Sequence, residues 1–427
     1  MIALLRRNGD FRAVFVAQII SFAGDWFATV AMLGLVIDRT GSDVAATAVI
    51  VVQTLPSFAL SPLAGPAADR FDRRRLMVLV SLLQAGAAGL FLVAVHGPVV
   101  FAFLAQGLIA ALGTFFAPAS QAALPNLVDA EDLPLATVMM SSTWGAMLAL
   151  GAAIGGVFAI VFGRQAAFAA DGLSFLLAAA LIAAVRRPMQ LAAPDGRPGR
   201  MRPLADTVET FRYARTNPVV AALLGSKLGF GLGGGAVGML ALLATGPFHS
   251  GDTGTGLLLA ARGVGVVAGP FVARRLLDRR PPGIGGSNDQ IPGILLACGA
   301  AGLVYGAGYV VVGTAPFLAL AVVGVLLAHL GGGAQWTLST YGIQAAVPDY
   351  IRGRVFAADF ALVTVTMSLS LIASGALAGV TGPRPPTLLL AAVSCLWGLA
   401  YLTLTRPLRL GGGGGGVEPV SPAASTP

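Results

Sequence analysis

The sequence predicts an all-α integral membrane protein with twelve transmembrane helices. Only 11% of its residues are charged and its mean hydropathy is +0.82, whereas a soluble domain carries roughly a quarter of charged residues. Residues 44–68 and 76–95 contain no charge, and each is long enough to cross a hydrocarbon core of about 30 Å as a helix. Buried helices of a soluble protein would need polar faces, which both segments lack.

Apolar stretches bounded by charges, glycines and prolines predict the twelve helices. They cover residues 13–37, 44–67, 75–95, 98–123, 134–162, 165–186, 218–246, 253–275, 291–313, 315–346, 355–380 and 387–405. With the N-terminus inside, most of the 27 basic residues lie at cytoplasmic ends or loops. We therefore expect a multi-pass plasma-membrane protein with both termini cytoplasmic. The first apolar run lacks a small-residue cleavage site, which favours a retained span over a signal peptide.

The predicted organisation is two six-helix bundles joined by a polar linker. The N-terminal bundle spans residues 1–186, the linker 187–217 and the C-terminal bundle 218–408. Within the linker, apolar residues at helical spacing between Leu204 and Arg215 predict a short amphipathic helix on the cytoplasmic surface. The tail, residues 409–427, is rich in Gly, Pro and Ser, which is typical of disorder.

Two motifs occur once in each predicted bundle. Ala64–Pro66 reappears as Ala268–Pro270, and Gln121–Asn126 reappears as Gln344–Asp349. Six helices per half is an even number, so both halves insert in the same orientation. This predicts a pseudo-symmetric parallel repeat around a central pathway, an architecture common among secondary transporters.

The segment Gly65–Arg75 resembles the signature loop between helices two and three of the major facilitator superfamily. Gln344–Val355 is similar to the junction of helices ten and eleven in the enterobactin-exporter and macrolide-efflux branch. The resemblance covers residues 4–405. It implies a proton-coupled exporter of a small amphipathic compound, of drug or siderophore type, that works by alternating access and is not an enzyme. A non-transporting sensor or assembly protein on the same scaffold is the alternative.

The same resemblance implies a conformational latch at the signature loop. Asp69 is expected to engage the start of helix eleven, and Arg73 and Arg74 are expected to pair with nearby acids. The predicted latch residues are Gly65, Asp69, Arg70, Arg73, Arg74, Gly353 and Arg354.

Four ionisable residues within predicted spans are candidates for proton coupling or substrate binding: Asp25, Asp171, Arg262 and His329. A charged side chain in a bilayer needs a partner or a water-filled surrounding. Asp25 either carries the coupling proton or forms a structural hydrogen bond, and for Asp171 we favour the structural role. Arg262 either forms a permanent ion pair with one of these acids, or serves in gating or in binding an anionic substrate. His329 titrates in the relevant pH range but is also compatible with simple packing.

Other polar residues in the spans have less specific interpretations. Lys227 can extend its ammonium group to the cytoplasmic interface, and Gln53, Gln106 and Trp336 are possible lining of the pathway. No phosphate-binding loop, metal-ligand cluster or catalytic motif is visible in the sequence. We therefore expect no cofactor, no metal and no nucleic-acid partner. The expected partners are a small-molecule substrate, protons and membrane lipids, the lipids accounting for the net charge of +8, and we expect a monomer.

Overall fold

Helices make up the regular structure of this protein, and no strand occurs within the described residues 1–41, 43–191, 202–278 and 290–410 of the computed structural model. Within them lie twelve long helices: α1 (Gly9–Thr40), α2 (Asp43–Arg70), α3 (Arg73–His96), α4 (Val100–Leu127), α5 (Leu133–Phe162), α6 (Arg164–Ala183), α7 (Pro218–Thr245), α8 (Gly251–Asp278), α9 (Ile291–Thr314), α10 (Leu318–Ala346), α11 (Asp349–Thr381) and α12 (Arg384–Leu404). Ten of them are long and apolar enough to cross a membrane. The other two, α2 and α5, have 28 and 30 residues. The predicted all-α class is confirmed.

Three short helices accompany the long ones. Ile2–Arg7 precedes α1, Arg406–Leu410 follows α12, and Pro203–Thr216 lies between the halves where the sequence predicts an amphipathic helix. We call Pro203–Thr216 the linker helix. The predicted disordered tail, residues 409–427, lies outside the described residues from position 411 onward.

Helix α11 begins six residues earlier than predicted. The prediction treats the charged residues before position 355 as a loop, but Arg352 pairs with Asp349 at 2.8 Å within the first turn. Helical spacing of three residues brings such side chains together. The charges are therefore part of the helix, and Gly353 and Arg354 lie within its first two turns.

Helix α7 spans Pro218–Thr245, close to the predicted residues 218–246, but it is not continuous. The helix is interrupted at Lys227 and tightens into a 3-10 segment over Gly234–Gly238. Glycine has a low helix propensity. The polar groups of the tightened backbone are satisfied by α11, because Gly235 N donates to Ser370 Oγ at 2.9 Å and Ser374 Oγ donates to Gly235 O at 3.2 Å. Such side-chain partners make broken helices tolerable inside a membrane.

The first six and last six helices form two bundles that meet along two helix pairs. Helix α2 packs against α11, and α5 packs against α8. The second pair approaches closely at Gly145, where an added Cβ would lie 2.6 Å from Val266 Cγ1. Small residues allow membrane helices to come this near.

Residues of the internal repeat contact their own counterparts. Gln344 Nε2 donates to Gln121 Oε1 at 3.3 Å, and Asn126 Nδ2 donates to Asp349 Oδ1 at 2.8 Å. These are equivalent positions in the two copies of the motif. A position can touch its own equivalent only near a rotation axis that relates the copies, so a pseudo-two-fold axis passes between the bundles here.

Candidate functional site

One end of the bundle is held closed by polar contacts around Asp69, which lies near the end of α2. Its carboxylate accepts hydrogen bonds from the backbone N–H groups of Gly353, at 2.6 Å, and Arg354, at 3.0 Å. One turn earlier, an added Cβ on Gly65 would lie 2.7 Å from Arg354 Cα. Only glycine lets the two helices approach this closely. These are the contacts that the family resemblance implies.

The Arg73 side chain also reaches from the first half to the second half at this end. Its side chain is fully buried and donates to Asp349 Oδ1 at 2.7 Å and to the Asp349 carbonyl at 2.8 Å. It also donates to the carbonyls of Ala68, at 3.0 Å, and Ala122, at 3.0 Å. A buried arginine is tolerated when its charge is paired and its donors are used. We define the gate as Gly65, Asp69, Arg73, Asp349, Arg352, Gly353 and Arg354.

Among the described residues Arg74 pairs with no acid, in contrast to the prediction. It donates to the carbonyl of Val185 at 2.8 Å, at the end of α6, where exposed carbonyls attract cations. Sequence spacing places Arg73 and Arg74 on different sides of α3, so only one of them points to the acid at the gate.

The linker helix supplies acids on which basic residues from both halves converge. Asp206 accepts two hydrogen bonds from Arg70, one of them at 2.6 Å, and Glu209 accepts one from Arg354 at 2.8 Å. Burial alone would raise the pKa of Asp206, but hydrogen bonds from Arg70 and Arg202 and the nearby positive charges outweigh it and lower that pKa. Asp206 is therefore ionised throughout the neutral range.

Further cross-half contacts cluster at this end. Thr137 Oγ1 donates to Gln344 Oε1 at 2.6 Å, and Arg352 donates to the Ala122 carbonyl at 3.3 Å. Together with the gate they join the starts of α5 and α11 to the ends of α4 and α10. The two halves are therefore joined by polar contacts at the end that carries the signature loop.

Two carboxylic acids lie near each other in the first half, Asp25 on α1 and Asp171 on α6. An added Cβ on Gly24 would be 2.9 Å from Asp171 Oδ1, so the absence of a side chain there makes room for the carboxyl group. Asp171 is 1% exposed, and neither of its carboxylate oxygens has a hydrogen-bond partner among the described residues. Ser174 donates instead to the Asp171 backbone carbonyl at 2.7 Å. An ionised carboxylate without donors is costly in such surroundings, whereas a protonated one is not.

A buried ion pair in the second half joins Lys227 to Asp359 of α11. Both side chains are 1% exposed. The Lys227 ammonium also lies 4.3 Å from the centroid of the Trp336 ring, a cation–π contact. The Lys227 ammonium group therefore lies within the bundle, paired with a carboxylate on the facing helix, rather than at the cytoplasmic interface. Asp359 was not singled out from the sequence, although an acid ten residues into an apolar helix is a signal of the same kind as Asp25.

The remaining predicted site residues lie apart from the acid pair. Arg262 does not pair with Asp25 or Asp171 among the described residues; it lies on α8, which packs against α10, the helix that carries His329. Gln53 Nε2 of α2 donates to Thr29 Oγ1 of α1 at 3.2 Å. Gln106 is buried in α4, and Trp336 on α10 is half-buried.

Residues 2–410 match the family model described as transmembrane secretion effector, of the major facilitator superfamily. The chain is 25% identical to the multidrug efflux pump Tap of Mycolicibacterium fortuitum over 425 residues, which cover 94% of this chain and 97% of that protein. It is 23% identical to the uncharacterised major-facilitator-type transporter YkuC of Bacillus subtilis over 286 residues, which cover 65% of this chain and 66% of that protein.

Solved transporter structures share the fold. A bacterial homologue of the iron transporter ferroportin, in an outward-facing state, superposes with a TM-score of 0.72 and 16% identity over 93% of this chain and 99% of the other. The human organic anion transporter MFSD10 gives 0.69 and 14%, and the Escherichia coli fucose:proton symporter FucP gives 0.65 and 14%, each covering 92% of this chain and 99% of the other. At these identities the likeness shows the fold alone.

Proposed function

Because the chain belongs to the transmembrane secretion effector family of the major facilitator superfamily, we propose that it exports a small amphipathic compound across the plasma membrane in exchange for protons. The chain is a multi-pass membrane transporter of small molecules and not an enzyme. Export of a drug-like or siderophore-like compound is supported by the similarity to a multidrug efflux pump over nearly the whole chain.

Proton exchange is supported above all by the acid pair in the first half. Asp171 is buried and accepts no hydrogen bond at its carboxylate from any described residue, and Gly24, which precedes Asp25, leaves the space in which the Asp171 carboxyl group lies. A group of this kind can be neutral when protonated and needs water or a cation when ionised. Protonation of the acid pair from outside would therefore favour one conformation, and release of the proton to the cytoplasm would favour the other. Coupling of proton movement to transport requires this alternation.

Alternating access is supported by the gate. The arginine-rich end, with both termini, is assigned to the cytoplasm on the distribution of basic residues. With the gate closed there, the pathway faces outward, the state in which an exporter releases its compound and takes up protons. Separation of Asp69 from Gly353 and Arg354 then opens the cytoplasmic side. We propose that the monomer completes this cycle and that anionic lipid headgroups contact the exposed arginines at this face.

The proposal is tested with the purified protein in proteoliposomes under an imposed pH gradient. Ethidium, a cationic dye, and 1-naphthoate, an aromatic anion, serve as probes. Asp25→Asn and Asp171→Asn should each abolish gradient-driven uphill movement of a transported probe while sparing its counterflow. The matched control is Asp38→Asn, on the same helix as Asp25 and paired with Arg164 at the opposite end.

Retained uphill transport in both variants would remove the acid pair from the coupling role. Wild-type protein that binds a probe but moves it neither with nor without a gradient would favour a non-transporting sensor.

A further inference from the structure

The second half contains a polar cluster that the proton-exchange mechanism does not use. Arg262 lies on α8, Tyr305 and Tyr309 on α9, and His329 on α10. The two tyrosine rings are 5.2 Å apart between centroids, and each lies 5.8 Å from the His329 ring. Helices α8 and α10 touch at this level, because an added Cβ on Gly265 would be 2.9 Å from His329 Cβ. We call these four residues the Arg262 cluster.

Four polar atoms of the Arg262 cluster are buried without a hydrogen-bond partner among the described residues. Tyr305, Tyr309 and His329 are at most 1% exposed. Both phenol hydroxyls, the Arg262 Nε and the His329 Nε2 have no hydrogen-bond partner among the described residues. Proteins rarely leave several buried donors unused in one place. A bound ligand would satisfy them together.

The charge of the Arg262 cluster is also uncompensated. An arginine stays protonated in proteins, and within the described part of the chain no carboxylate pairs with Arg262. Asp25 and Asp171 belong to the other half, and Asp359 is engaged by Lys227. The cluster therefore has one positive charge and two phenol hydroxyls that make no hydrogen bond of normal geometry to any described residue.

The remaining member, His329, contributes an acceptor. Its Nδ1 lies 3.1 Å from the carbonyl oxygen of Val325. A carbonyl only accepts, so Nδ1 carries the proton and the neutral ring presents a lone pair at Nε2. His329 therefore adds no second positive charge, and it can orient a phenol or ligand hydroxyl.

We propose that the Arg262 cluster binds the carboxylate of an amphipathic substrate, which makes aromatic monoanions the substrate class. A guanidinium group matches the two oxygens of a carboxylate in a planar bidentate pair, and the phenols of Tyr305 and Tyr309 donate to the remaining lone pairs. A phosphate dianion would leave one negative charge unbalanced in the bundle.

An aromatic path leads from the cluster toward the gap between the halves. Phe230 on α7 lies 5.0 Å from the Tyr305 ring and 6.2 Å from the Trp336 ring, and Trp336 lies 6.0 Å from Phe360 on α11. Phe230, Trp336 and Phe360 are partly exposed. Aromatic faces of this kind suit the apolar body of a ligand whose carboxylate is held at Arg262. That this ligand is the transported compound rests on the proposed function.

The test is equilibrium binding, by titration calorimetry, of 1-naphthoate and its uncharged analogue 1-naphthamide to the full chain in lipid nanodiscs. The wild type should bind naphthoate at least tenfold more tightly than naphthamide. Arg262→Gln should remove this preference, and Tyr309→Phe should weaken naphthoate binding about tenfold. The control is Tyr401→Phe, because the Tyr401 hydroxyl is equally buried and unpartnered but lies on α12 in another cluster.

Equal binding of the two probes to the wild type would overturn the inference, as would a preference that survives Tyr309→Phe and Arg262→Gln. Tyr309→Phe keeps the ring, so it remains informative if Arg262→Gln fails to fold. The melting temperature of the wild type is compared in sodium chloride and in sodium gluconate at equal ionic strength. A rise that depends on chloride, in the absence of naphthoate binding, identifies a chloride site and also overturns the inference.

Binding is measured without a gradient, so the two proposals fail in different ways. Loss of naphthoate selectivity with intact ethidium export refutes the carboxylate site. Selective binding without gradient-driven movement of either probe refutes the proposed function.

Discussion

Replacing Asp69 with asparagine should shift the gate toward its open state. The carboxylate holds two backbone N–H groups across the halves, those of Gly353 at 2.6 Å and Arg354 at 3.0 Å, and it faces the Arg354 Nε at 3.2 Å. An asparagine side chain has nearly the same shape but only one acceptor atom and no charge. It can keep one of the two backbone contacts, and its NH2 group then faces the other N–H donor.

The magnitude follows from the bonds that change. A hydrogen bond to a charged group contributes about 1.5–3 kcal/mol and a neutral one about 0.5–1.5 kcal/mol. The two charge-assisted bonds to the backbone are thus replaced by a single neutral one, and the third bond, from Arg354 Nε, loses the charge of its acceptor. Since an amide also costs less to bury, we expect the closed gate to lose about 2–3 kcal/mol. This corresponds to an increase of about 30- to 150-fold in the ratio of open to closed molecules.

The ratio can be measured by electron–electron resonance between spin labels on the two sides of the gate. Arg75 on α3 and Tyr350 on α11 are exposed and suit labelling on a cysteine-free background. In Asp69→Asn a longer-distance population should appear or grow, and transport should slow while the protein remains in the membrane. The control is Asp72→Asn, which removes the same charge three residues away, where the carboxylate caps only Arg75 N.

An unchanged distance distribution together with unchanged transport in Asp69→Asn would refute the latch. An equal shift in Asp72→Asn would show that loss of charge, rather than the hydrogen bonds across the halves, opens the gate.

Three further predictions concern the ion pairs and the helix contact. Lys227→Met should lower stability by about 3–5 kcal/mol, because Asp359 is left as an unpaired buried charge, and Lys227→Met/Asp359→Leu should recover most of this loss. Thermal unfolding in detergent measures both variants, and a double variant no more stable than the single one contradicts the reasoning. Gly65→Ala should push α2 away from α11 and increase the open population in the same resonance experiment, since the new Cβ would lie 2.7 Å from a backbone carbon; an unchanged distribution counts against the close contact. The pKa of Asp206 is lowered in the folded protein, so the contribution of its ion pair with Arg70 to stability is complete above the ordinary pKa of about 3.9 and is lost only as the pH falls below that value. Arg70→Gln should therefore lower the melting temperature equally at pH 5.5 and pH 8. A smaller effect at pH 5.5 would contradict the assignment.

The fold was largely predictable because membrane insertion imposes strong local rules. Uncharged runs of about 20 residues must be helices, and the repeat of Gln121–Asn126 at Gln344–Asp349 indicates the parallel halves. The interruption of α7 was not predictable in position. It depends on Ser370 and Ser374 of a distant helix, which satisfy the backbone that the glycines release.

The sequence predicted which residues belong to the site better than it predicted which of them form contacts with each other. Asp25, Asp171 and Arg262 stand out because each is an ionisable group in an apolar helix, but which helices face each other is decided by packing along the whole bundle. The sequence therefore left Arg262 with two possible acidic partners, and the described structure gives it neither. Asp359 could have been found by the same signal.

Other contributors carry no comparable signal. Tyr305 and Tyr309 are ordinary residues of an apolar helix, and only the three-dimensional arrangement shows that both hydroxyls are buried near His329 without a hydrogen-bond partner in the described part of the chain. The acids of the linker helix, Asp206 and Glu209, resemble any solvated helix face until Arg70 and Arg354 are seen to reach them.

Each half of the protein keeps a counter-ion for the arginine that it brings to the gate. Arg73 has Asp69 of its own half at 3.5 Å, besides Asp349 across the boundary, and Arg352 has Asp349 of its own half at 2.8 Å. When the halves separate, Arg73 can therefore exchange Asp349 for Asp69, and Arg352 keeps its pair with Asp349, so neither arginine is left without a carboxylate. A buried ion pair costs much free energy mainly when one charge is left without its partner, so the two conformations can stay close in free energy. The modest differential binding of a substrate or a proton is then sufficient to decide between them.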